Sequence, residues 1–296
     1  MRQSRIVVAE SCGLAEGPLW HPQQQRLYWT DIPAGKLFWC EPASGASACF
    51  YSGESPIGGF TFCDGGGLLL FRERDVCWIG VDGKVLASQA VQPPGAERFN
   101  DVIAAPDGSV FAGTIGCTAE SGGLYHFKQD GSVECLFTGT GCANGMGFSP
   151  DLSVFYWTCS TARRIHAFDY SGGRVNVKSR RLFYQAPAEE GIPDGLTVDA
   201  MGNIWTARWD GWQVVKLGPD GEKLLALTAP YPRLSSVAFG GPDLTTLFTT
   251  IAAPASPERY EGPCLIAWDE LDIGGRNEFV SSLRPDVPLR LEWEPA

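Results

Sequence analysis

Long apolar runs and basic clusters are both missing from this sequence. No apolar run approaches the roughly 20 residues that a membrane-spanning helix needs, and the run at residues 6–9 is too short for the core of a signal peptide. Lysine and arginine together number 23 against 34 aspartates and glutamates, which gives a formal net charge of -11. Such a chain repels polyanions and has no basic stripe for phosphates. We therefore expect a cytoplasmic protein with no membrane segment and no nucleic-acid partner.

Histidine and the motifs of nucleophilic hydrolases are also scarce. The three histidines, His21, His126 and His166, all fall in predicted turns or outer strands. Gly-x-Ser-x-Gly is absent, so a serine-hydrolase mechanism has no sequence support. The glycine-rich stretch 139–145 lacks the lysine and the following helix of a phosphate-binding loop. The ten cysteines contain no Cys-x-x-Cys pair, which predicts free thiols rather than a zinc knuckle or a disulfide framework.

Turn residues and short apolar runs are abundant instead. The chain has 36 glycines, 21 prolines and 11% aromatic residues within a hydrophobic content of 44%, a composition typical of a folded, turn-rich protein. Helical periodicity is hard to find. Turns such as Pro106-Asp107-Gly108 separate runs of β-forming residues, so the sequence predicts an all-β fold.

The apolar runs repeat with a long period. Six hairpins recur about 41 to 49 residues apart, each with about four strands, and this predicts a six-bladed β-propeller with four-stranded blades in one domain, residues 1–296. The first residues of the second strands are predicted at Leu27, Leu68, Val110, Phe155, Ile204 and Leu247. The spare run at 6–9 and the runs at 264–268 and 288–293 lie at the two ends of the chain. Pairing of the N- and C-terminal strands in one shared blade would close the ring and protect its edges.

Polar residues share one phase of the repeat. Counting back 10 or 11 positions from the second strands reaches a carboxylate or carboxamide in four blades: Glu16, Asn100, Asn144 and Asp194. Taken singly, Asn-Gly and Pro-Asp-Gly are turn signals, but a shared phase predicts side chains that converge on the channel. Two carboxylates and two amide oxygens are hard ligands for a divalent cation. Without a cation, the carboxylates would repel each other and one would be driven neutral.

The ordered set of motifs resembles the regucalcin and gluconolactonase family, which includes sugar-acid lactonases and luciferin-regenerating enzymes. The matching stretches cover nearly the whole chain in family order: Ala15-Glu16-Gly17-Pro18-Leu19-Trp20, Arg98-Phe99-Asn100-Asp101, Phe111-Ala112-Gly113-Thr114, Asn144-Gly145, Pro193-Asp194-Gly195 and Val237-Ala238-Phe239-Gly240-Gly241. Each stretch is a weak signal alone, and the ordered set is specific.

The resemblance implies a site for one divalent cation held by Glu16, Asn144 and Asp194. Calcium is the first expectation, and zinc, manganese, magnesium or ferrous iron are the alternatives. Arg98 and Asn100 would hold substrate oxygens, with Asp101 supporting their loop, and Asp194 would also be the general base. Glu120, in the short loop 116–122, would match a further substrate contact.

One departure from the family lies on the fourth blade. Trp157-Thr158-Cys159-Ser160 places a thiol where many members have a carboxylate near the mouth. Cys159 is either a buried, inert thiol or a nucleophile, and no nearby histidine supports the second reading. This change bears on the substrate rather than on the metal.

The predicted function is hydrolysis of a sugar-acid lactone, such as a glucono- or pentonolactone, to the free acid by a monomer or homodimer, with a metal-polarised carbonyl and an activated water. A metal-dependent esterase or phosphotriesterase of the same fold is one alternative, because Trp209 and Trp212 would make the mouth more apolar. The other is a non-catalytic propeller scaffold. A scaffold would not need Glu16, Asn144 and Asp194 in phase.

Overall fold

Antiparallel hairpins follow one another along the chain and group into six sheets. The computed structural model describes residues 3–254 and 262–292. In the first three sheets the strands follow sequence order from the innermost outward. Blade 1 contains β2 (Ala15–His21), β3 (Arg26–Asp31), β4 (Lys36–Glu41) and β5 (Ala46–Ser52). Blade 2 contains β6 (Ile57–Phe62), β7 (Leu68–Arg72), β8 (Asp75–Ile79) and β9 (Val85–Ala90). Blade 3 contains β10 (Ala96–Ala104), β11 (Val110–Gly116), β12 (Gly122–Phe127) and β13 (Ser132–Thr140).

The remaining sheets repeat the pattern and complete a ring. Blade 4 contains β14 (Ala143–Phe148), β15 (Val154–Cys159), β16 (Arg164–Ser171) and β17 (Arg174–Gln185). Blade 5 contains β18 (Ile192–Val198), β19 (Ile204–Trp209), β20 (Gln213–Leu217) and β21 (Lys223–Thr228). Blade 6 contains β22 (Leu234–Gly240), β23 (Thr246–Ile251), β24 (Leu265–Trp268) and β1 (Arg5–Val8). The predicted six-bladed β-propeller is therefore confirmed, and each second strand begins within one residue of its predicted start.

The N-terminal strand closes the ring, as predicted. β1 adds to β24 as the outer strand of blade 6, with Ile6 opposite Ile266 and Val8 opposite Leu265. An ion pair between Arg5 and Asp269 reinforces the same edge. The last apolar run behaves differently, because β25 (Arg290–Glu292) pairs in parallel with the outer strand of blade 3. Residue 293 of that run lies outside the described residues.

The chain between β24 and β25 runs across one end of the channel. Arg276 Nη2 donates to Phe148 O of blade 4 at 2.7 Å, and the Ser281 amide donates to Phe62 O of blade 2 at 2.7 Å. Trp78 Nε1 donates to Leu283 O at 3.1 Å. These contacts tie blades 2 and 4 together beneath the channel, so the opposite end is the open one.

Helix contributes little to the described chain. It is limited to one 3₁₀ turn, Ala188–Glu190, and no helix in the described residues is long and apolar enough to cross a membrane. The core instead lies between the faces of neighbouring blades. Between blades 2 and 3, for example, Phe71 packs edge to face against Phe99 and Phe127, with ring centroids 5.4 and 4.9 Å away.

Every innermost strand carries a β-bulge at the same height. The pairing with the second strand shifts register between Glu16 and Leu19, Ile57 and Gly59, Phe99 and Val102, Asn144 and Met146, Pro193 and Leu196, and Leu234 and Val237. A bulge inserts an unpaired residue and turns side chains out of the regular alternation. Six bulges at one level therefore turn residues towards the common axis, with a side chain in five blades and Gly58 in blade 2.

The closing strand gives a direct test of ring closure. Val8 is 6% exposed and packs with Trp20 and Phe248, whereas Ile6 on the same strand is 54% exposed. We expect Val8→Asp to lower the free energy of unfolding by about 3 kcal/mol, because it buries a polar group in the blade 6 core. The matched change Ile6→Asp should cost less than about 1 kcal/mol. Urea unfolding of both variants measures this, and equal effects would argue that β1 does not contribute to the closed core.

Candidate active site

Four of the sequence-predicted residues meet at the open end of the channel. Glu16, Asn100, Asn144 and Asp194 come from blades 1, 3, 4 and 5, and all line one cavity of about 480 Å³. Their exposed fractions are 4, 5, 5 and 6% respectively. Arg98, two residues before Asn100, lines the same cavity. The phase of the repeat thus places the predicted cation ligands and two predicted substrate contacts around one space.

A chain of hydrogen bonds joins blades 3, 4 and 5 across the floor of this cavity. Arg98 Nη1 donates to Asn100 Oδ1 at 2.7 Å, and Asn100 Nδ2 donates to Asn144 Oδ1 at 2.5 Å. Asn144 Nδ2 then donates to Ser160 Oγ at 2.8 Å, and Ser160 Oγ donates to Pro193 O at 2.6 Å. Because the Ser160 hydroxyl donates its proton to Pro193 O, only the lone pairs of Ser160 Oγ face Asn144. Ser160 therefore fixes which end of the Asn144 amide points into the cavity, a role that sequence reasoning missed.

Two glycines allow the innermost strands to approach one another at this level. A Cβ on Gly145 would lie 2.4 Å from Leu196 N, and one on Gly195 would lie 2.7 Å from Ser236 Cα. Both distances are below any ordinary van der Waals contact, so a larger residue would push blades 4, 5 and 6 apart. The close approach that the Asn-Gly and Asp-Gly pairs suggest is thus present in the fold.

Asp101 occupies the channel rather than a supporting position in a loop. It lines a second cavity of about 50 Å³, together with Gly17, Met146, Ser236 and Glu278, on the closed side of the ring. The bulge between Phe99 and Val102 lets Asn100 and Asp101 both face the axis. A sequence signal existed: Glu16, Asn144 and Asp194 are each followed by glycine, and in blade 3 Asp101 stands at that position.

Burial and mutual repulsion shape the electrostatics of these carboxylates. Burial, followed by repulsion from Asp101 and Asp194, raises the pKa of Glu16 well above its usual range. Burial and the Asp101 charge likewise raise the pKa of Asp194. Burial raises the pKa of Asp101 to about 7, and the Arg98 guanidinium opposes that rise. Three carboxylates thus share one nearby cation, and each is pushed towards its neutral form.

The donor set fits a divalent cation that binds oxygen. Within the described chain, no three Asp, Glu, His or Cys side chains converge closely enough to form a metal site on their own, so the fit depends on the Asn144 amide. Asn144 Oδ1 accepts one hydrogen bond from Asn100 and keeps a second lone pair. Glu16 and Asp194 supply carboxylate oxygens, whose repulsion a cation would relieve.

The cavity walls above this floor are largely apolar. Leu14, Ile32, Ile115, Ile192 and Trp209 line them, and the described walls contain no histidine. Three polar residues join them at the blade 4 side: Cys142, Thr161 and Arg163.

Three residues singled out in the sequence lie away from the cavity. Glu120 is exposed on the loop between β11 and β12 and does not line the cavity. Cys159 is buried, and its Sγ lies 3.1 Å from Thr140 Oγ1. Its surroundings match the inert-thiol reading rather than a nucleophile. Trp212 is 51% exposed and also lies outside the wall.

The fold and the polar side chains define a six-bladed propeller that has a cavity with a polar floor at the open end of its channel. Residues 14–253 match the model of the SMP-30/Gluconolactonase/LRE-like region, and the chain belongs to this family. It is 40% identical to pentonolactonase XacC of Haloferax volcanii, over 94% of this chain and 98% of that protein. It is 30% identical to regucalcin of Bos taurus, over 83% and 85% of the two chains.

A solved structure shows the same fold. The structure of regucalcin, a calcium-binding protein from Agrobacterium tumefaciens, superposes with a TM-score of 0.85 and 22% identity, over 94% of this chain and 97% of that chain. This likeness supports the propeller architecture and the order of its blades.

The raised pKa of Asp101 predicts a stability that depends on pH. In cation-free protein the folded state holds the Asp101 proton up to a pH of about 7, whereas the unfolded chain loses it near pH 4. Stability should therefore fall as pH rises from about 4 to about 7. Asp101→Asn removes this loss, so at pH 8 the variant should be more stable than wild type by about 1 kcal/mol or more.

Urea unfolding with chelator at pH 4 and pH 8 measures this difference. Glu97→Gln is the matched control, because Glu97 lies exposed on the same strand and should behave like wild type at both values. If Asp101→Asn were equally stable or less stable than wild type at pH 8, the proposed repulsion in the channel would be wrong.

Proposed function

We propose that the protein is a lactonase that opens a sugar-acid lactone, such as a glucono- or pentonolactone, to the free acid with the help of one divalent cation. The observation that carries this proposal is the similarity to a known lactonase together with the polar side chains at the cavity floor. A pentonolactonase is 40% identical over nearly the full length of both chains, and two carboxylates and an amide converge at the floor of the main cavity. The proposal includes a single propeller domain of residues 1–296.

Glu16, Asn144 and Asp194 would hold the cation. Bound there, a divalent cation supplies Lewis acidity, which polarises a carbonyl oxygen. Calcium is the first candidate, because it accepts carboxylate and amide oxygens and a regucalcin of the same fold is described as calcium-binding. Zinc, manganese, magnesium and ferrous iron remain alternatives of the same proposal.

Asp194 would act as the general base. It would take a proton from the attacking water and return it to the ring oxygen as the lactone opens. In the cation-free protein, burial and then repulsion from Asp101 raise the pKa of Asp194, and a bound cation would act in the opposite direction. Arg98 and the Asn144 amide oppose this shift, so the final value depends on the surroundings that both residues provide.

Arg98 and Asn100 would orient the substrate. Arg98 Nη1 is held by Phe99 O at 2.8 Å and Asn100 Oδ1 at 2.7 Å, and its other guanidinium nitrogens make no hydrogen bond within the described residues. Those donors are free for hydroxyl or carbonyl oxygens of a lactone. Leu14, Ile32, Ile115 and Trp209 surround the same space and would exclude bulk water from the reacting ester.

The apolar wall also supports a second candidate function, that of a metal-dependent esterase or phosphotriesterase. Trp209 lines the cavity and its ring lies 4.8 Å from the Arg233 guanidinium carbon. An ester with an apolar leaving group would pack against this wall. A scaffold without activity is disfavoured, because buried carboxylates at the channel mouth are costly without a ligand.

We also propose that the protein is cytoplasmic and is a monomer or homodimer. The free thiols of all ten cysteines suit a reducing compartment.

Asp194→Asn tests the assignment of the base. The amide keeps an oxygen in the ring but cannot accept a proton, so turnover should fall about 10²- to 10⁴-fold at saturating cation. Asn144→Ala is the comparison, because it removes a ligand without removing the base, and excess cation should partly rescue it. A pH-indicator assay on glucono- and pentonolactones, with cation content measured for each variant, separates these effects. Asp194→Asn turnover within about threefold of wild type would remove Asp194 from the role of base.

A further inference from the structure

Two arginines line the main cavity, and one of them, Arg163, has no carboxylate partner among the described residues. Arg98 reaches it from blade 3, and Arg163 reaches it from the turn after β15 in blade 4. No salt bridge within the described residues involves either side chain. Removing a cation from water without a paired anion is unfavourable. Arg98 is shared by the channel carboxylates, whereas the charge of Arg163 is unpaired and favours an anionic ligand.

Arg163 occupies an unusual backbone position for a residue with a side chain. Its amide donates to Ser160 O at 2.9 Å to close the turn, and its φ is +57°. Glycine adopts this conformation more readily than a residue with a Cβ. Six other residues with side chains adopt the same conformation in the described chain, so the turn itself does not require arginine.

The Arg163 side chain is fixed in place by neutral groups. Its Nη2 donates to Pro187 O at 2.7 Å, to Ala188 O at 3.0 Å and to Gly191 O at 2.8 Å. These carbonyls hold the guanidinium rigidly but leave its charge uncompensated. Its Nε is buried and has no hydrogen-bond partner in the described chain. The result is a preorganised positive charge at the cavity wall.

Residues 187–191 contain two acidic residues. Glu189 is exposed and forms no ion pair in the described chain, and Glu190 is occupied by other groups. Glu190 Oε1 accepts from Lys223 Nζ at 2.7 Å, and its Oε2 accepts from Tyr184 Oη at 2.7 Å and lies 3.7 Å from Arg208 Nη2. Arg208 is fully buried, and the positive charge of Arg163 is among the causes that lower its pKa. Glu190 is therefore engaged away from Arg163, and this wall of the cavity stays positive.

A purely structural role accounts for only part of this arrangement. Arg163 does anchor residues 187–191, which lead into Pro193 and Asp194. A neutral donor could make those hydrogen bonds to carbonyls equally well. It would not place an unpaired charge beside the substrate space.

We propose that Arg163 binds an anionic group of the substrate, a carboxylate or a phosphate remote from the ester, and that the preferred substrates are anionic sugar lactones. This inference rests on the proposed lactonase function. A divalent cation would compensate the charges of Glu16 and Asp194 on the floor, so Arg163 would add an unpaired positive charge to the wall above it. A cavity of about 480 Å³ is large enough for a six-carbon lactone with either group.

The test compares three lactones of similar size in wild type and two variants. The probes are glucono-1,5-lactone, which is neutral, glucaro-1,4-lactone, which carries a carboxylate, and 6-phosphoglucono-1,5-lactone. Arg163→Gln removes the charge and keeps a donor. Arg164→Gln is the matched control, because the neighbouring Arg164 is exposed and donates to Gln185 Oε1 at 2.7 Å outside the cavity.

Wild type should hydrolyse at least one anionic lactone with a kcat/KM about tenfold or more above that of the neutral lactone. Arg163→Gln should reduce this preference about 10- to 100-fold, the usual worth of one hydrogen bond to a charged group, while Arg164→Gln should preserve it. Comparison of glucaro-1,4-lactone with 6-phosphoglucono-1,5-lactone identifies whether a carboxylate or a phosphate is bound. An equal loss on neutral and anionic lactones in Arg163→Gln, or a wild type that prefers the neutral lactone, would overturn the inference and leave the lactonase proposal standing.

Failure of wild type on every lactone would instead count against the lactonase function itself. If Arg163→Gln does not fold, product inhibition of wild type decides the question. Glucarate should then compete at least about tenfold more tightly than gluconate, and equal inhibition by the two would contradict the proposed contact.

Discussion

Repulsion between the channel carboxylates is the constraint on which the rest of this site depends. Glu16, Asp101 and Asp194 project into one channel, and within the described residues the Arg98 guanidinium opposes their shifted pKa values. A fold gains no stability from such an arrangement by itself, because burial of like charges is unfavourable. The ring of β-bulges and the crowded glycines are therefore best understood as features that position a functional site at some cost to stability.

The structure offsets this cost through rigid polar contacts and through packing between blades. The hydrogen-bond chain from Arg98 to Pro193 links three blades across the cavity floor, so the side chains are held before any ligand arrives. Preorganised groups of this kind lose little freedom when a substrate binds. The aromatic clusters between the blades supply the apolar burial that keeps the ring closed.

Much of this arrangement could be predicted from the sequence, because a propeller repeats one local pattern. The period of the hairpins predicts that Glu16, Asn144 and Asp194 lie at one height in the channel. The apolar run at the N-terminus predicts the strand that closes the ring. The channel position of Asp101 was not predicted, because a bulge turns two consecutive residues inward and the signal for it was only that Asp101 stands where three other blades have glycine. The pairing of β25 with blade 3 and the position of Arg163 depend on contacts between distant segments, and Glu120 lies on a loop whose path no repeat defines.

Calorimetric titration of a divalent cation into chelator-treated protein tests the central claim most directly. Performed at pH 6.5 in two buffers of different ionisation enthalpy, it reports both stoichiometry and protons released. Because the channel carboxylates hold protons that a cation must displace, binding of one cation per chain should release about one proton, and Glu16→Gln should weaken binding and reduce the release. Stoichiometric binding without proton release, or no binding of calcium, zinc, manganese, magnesium or ferrous iron, would contradict the account.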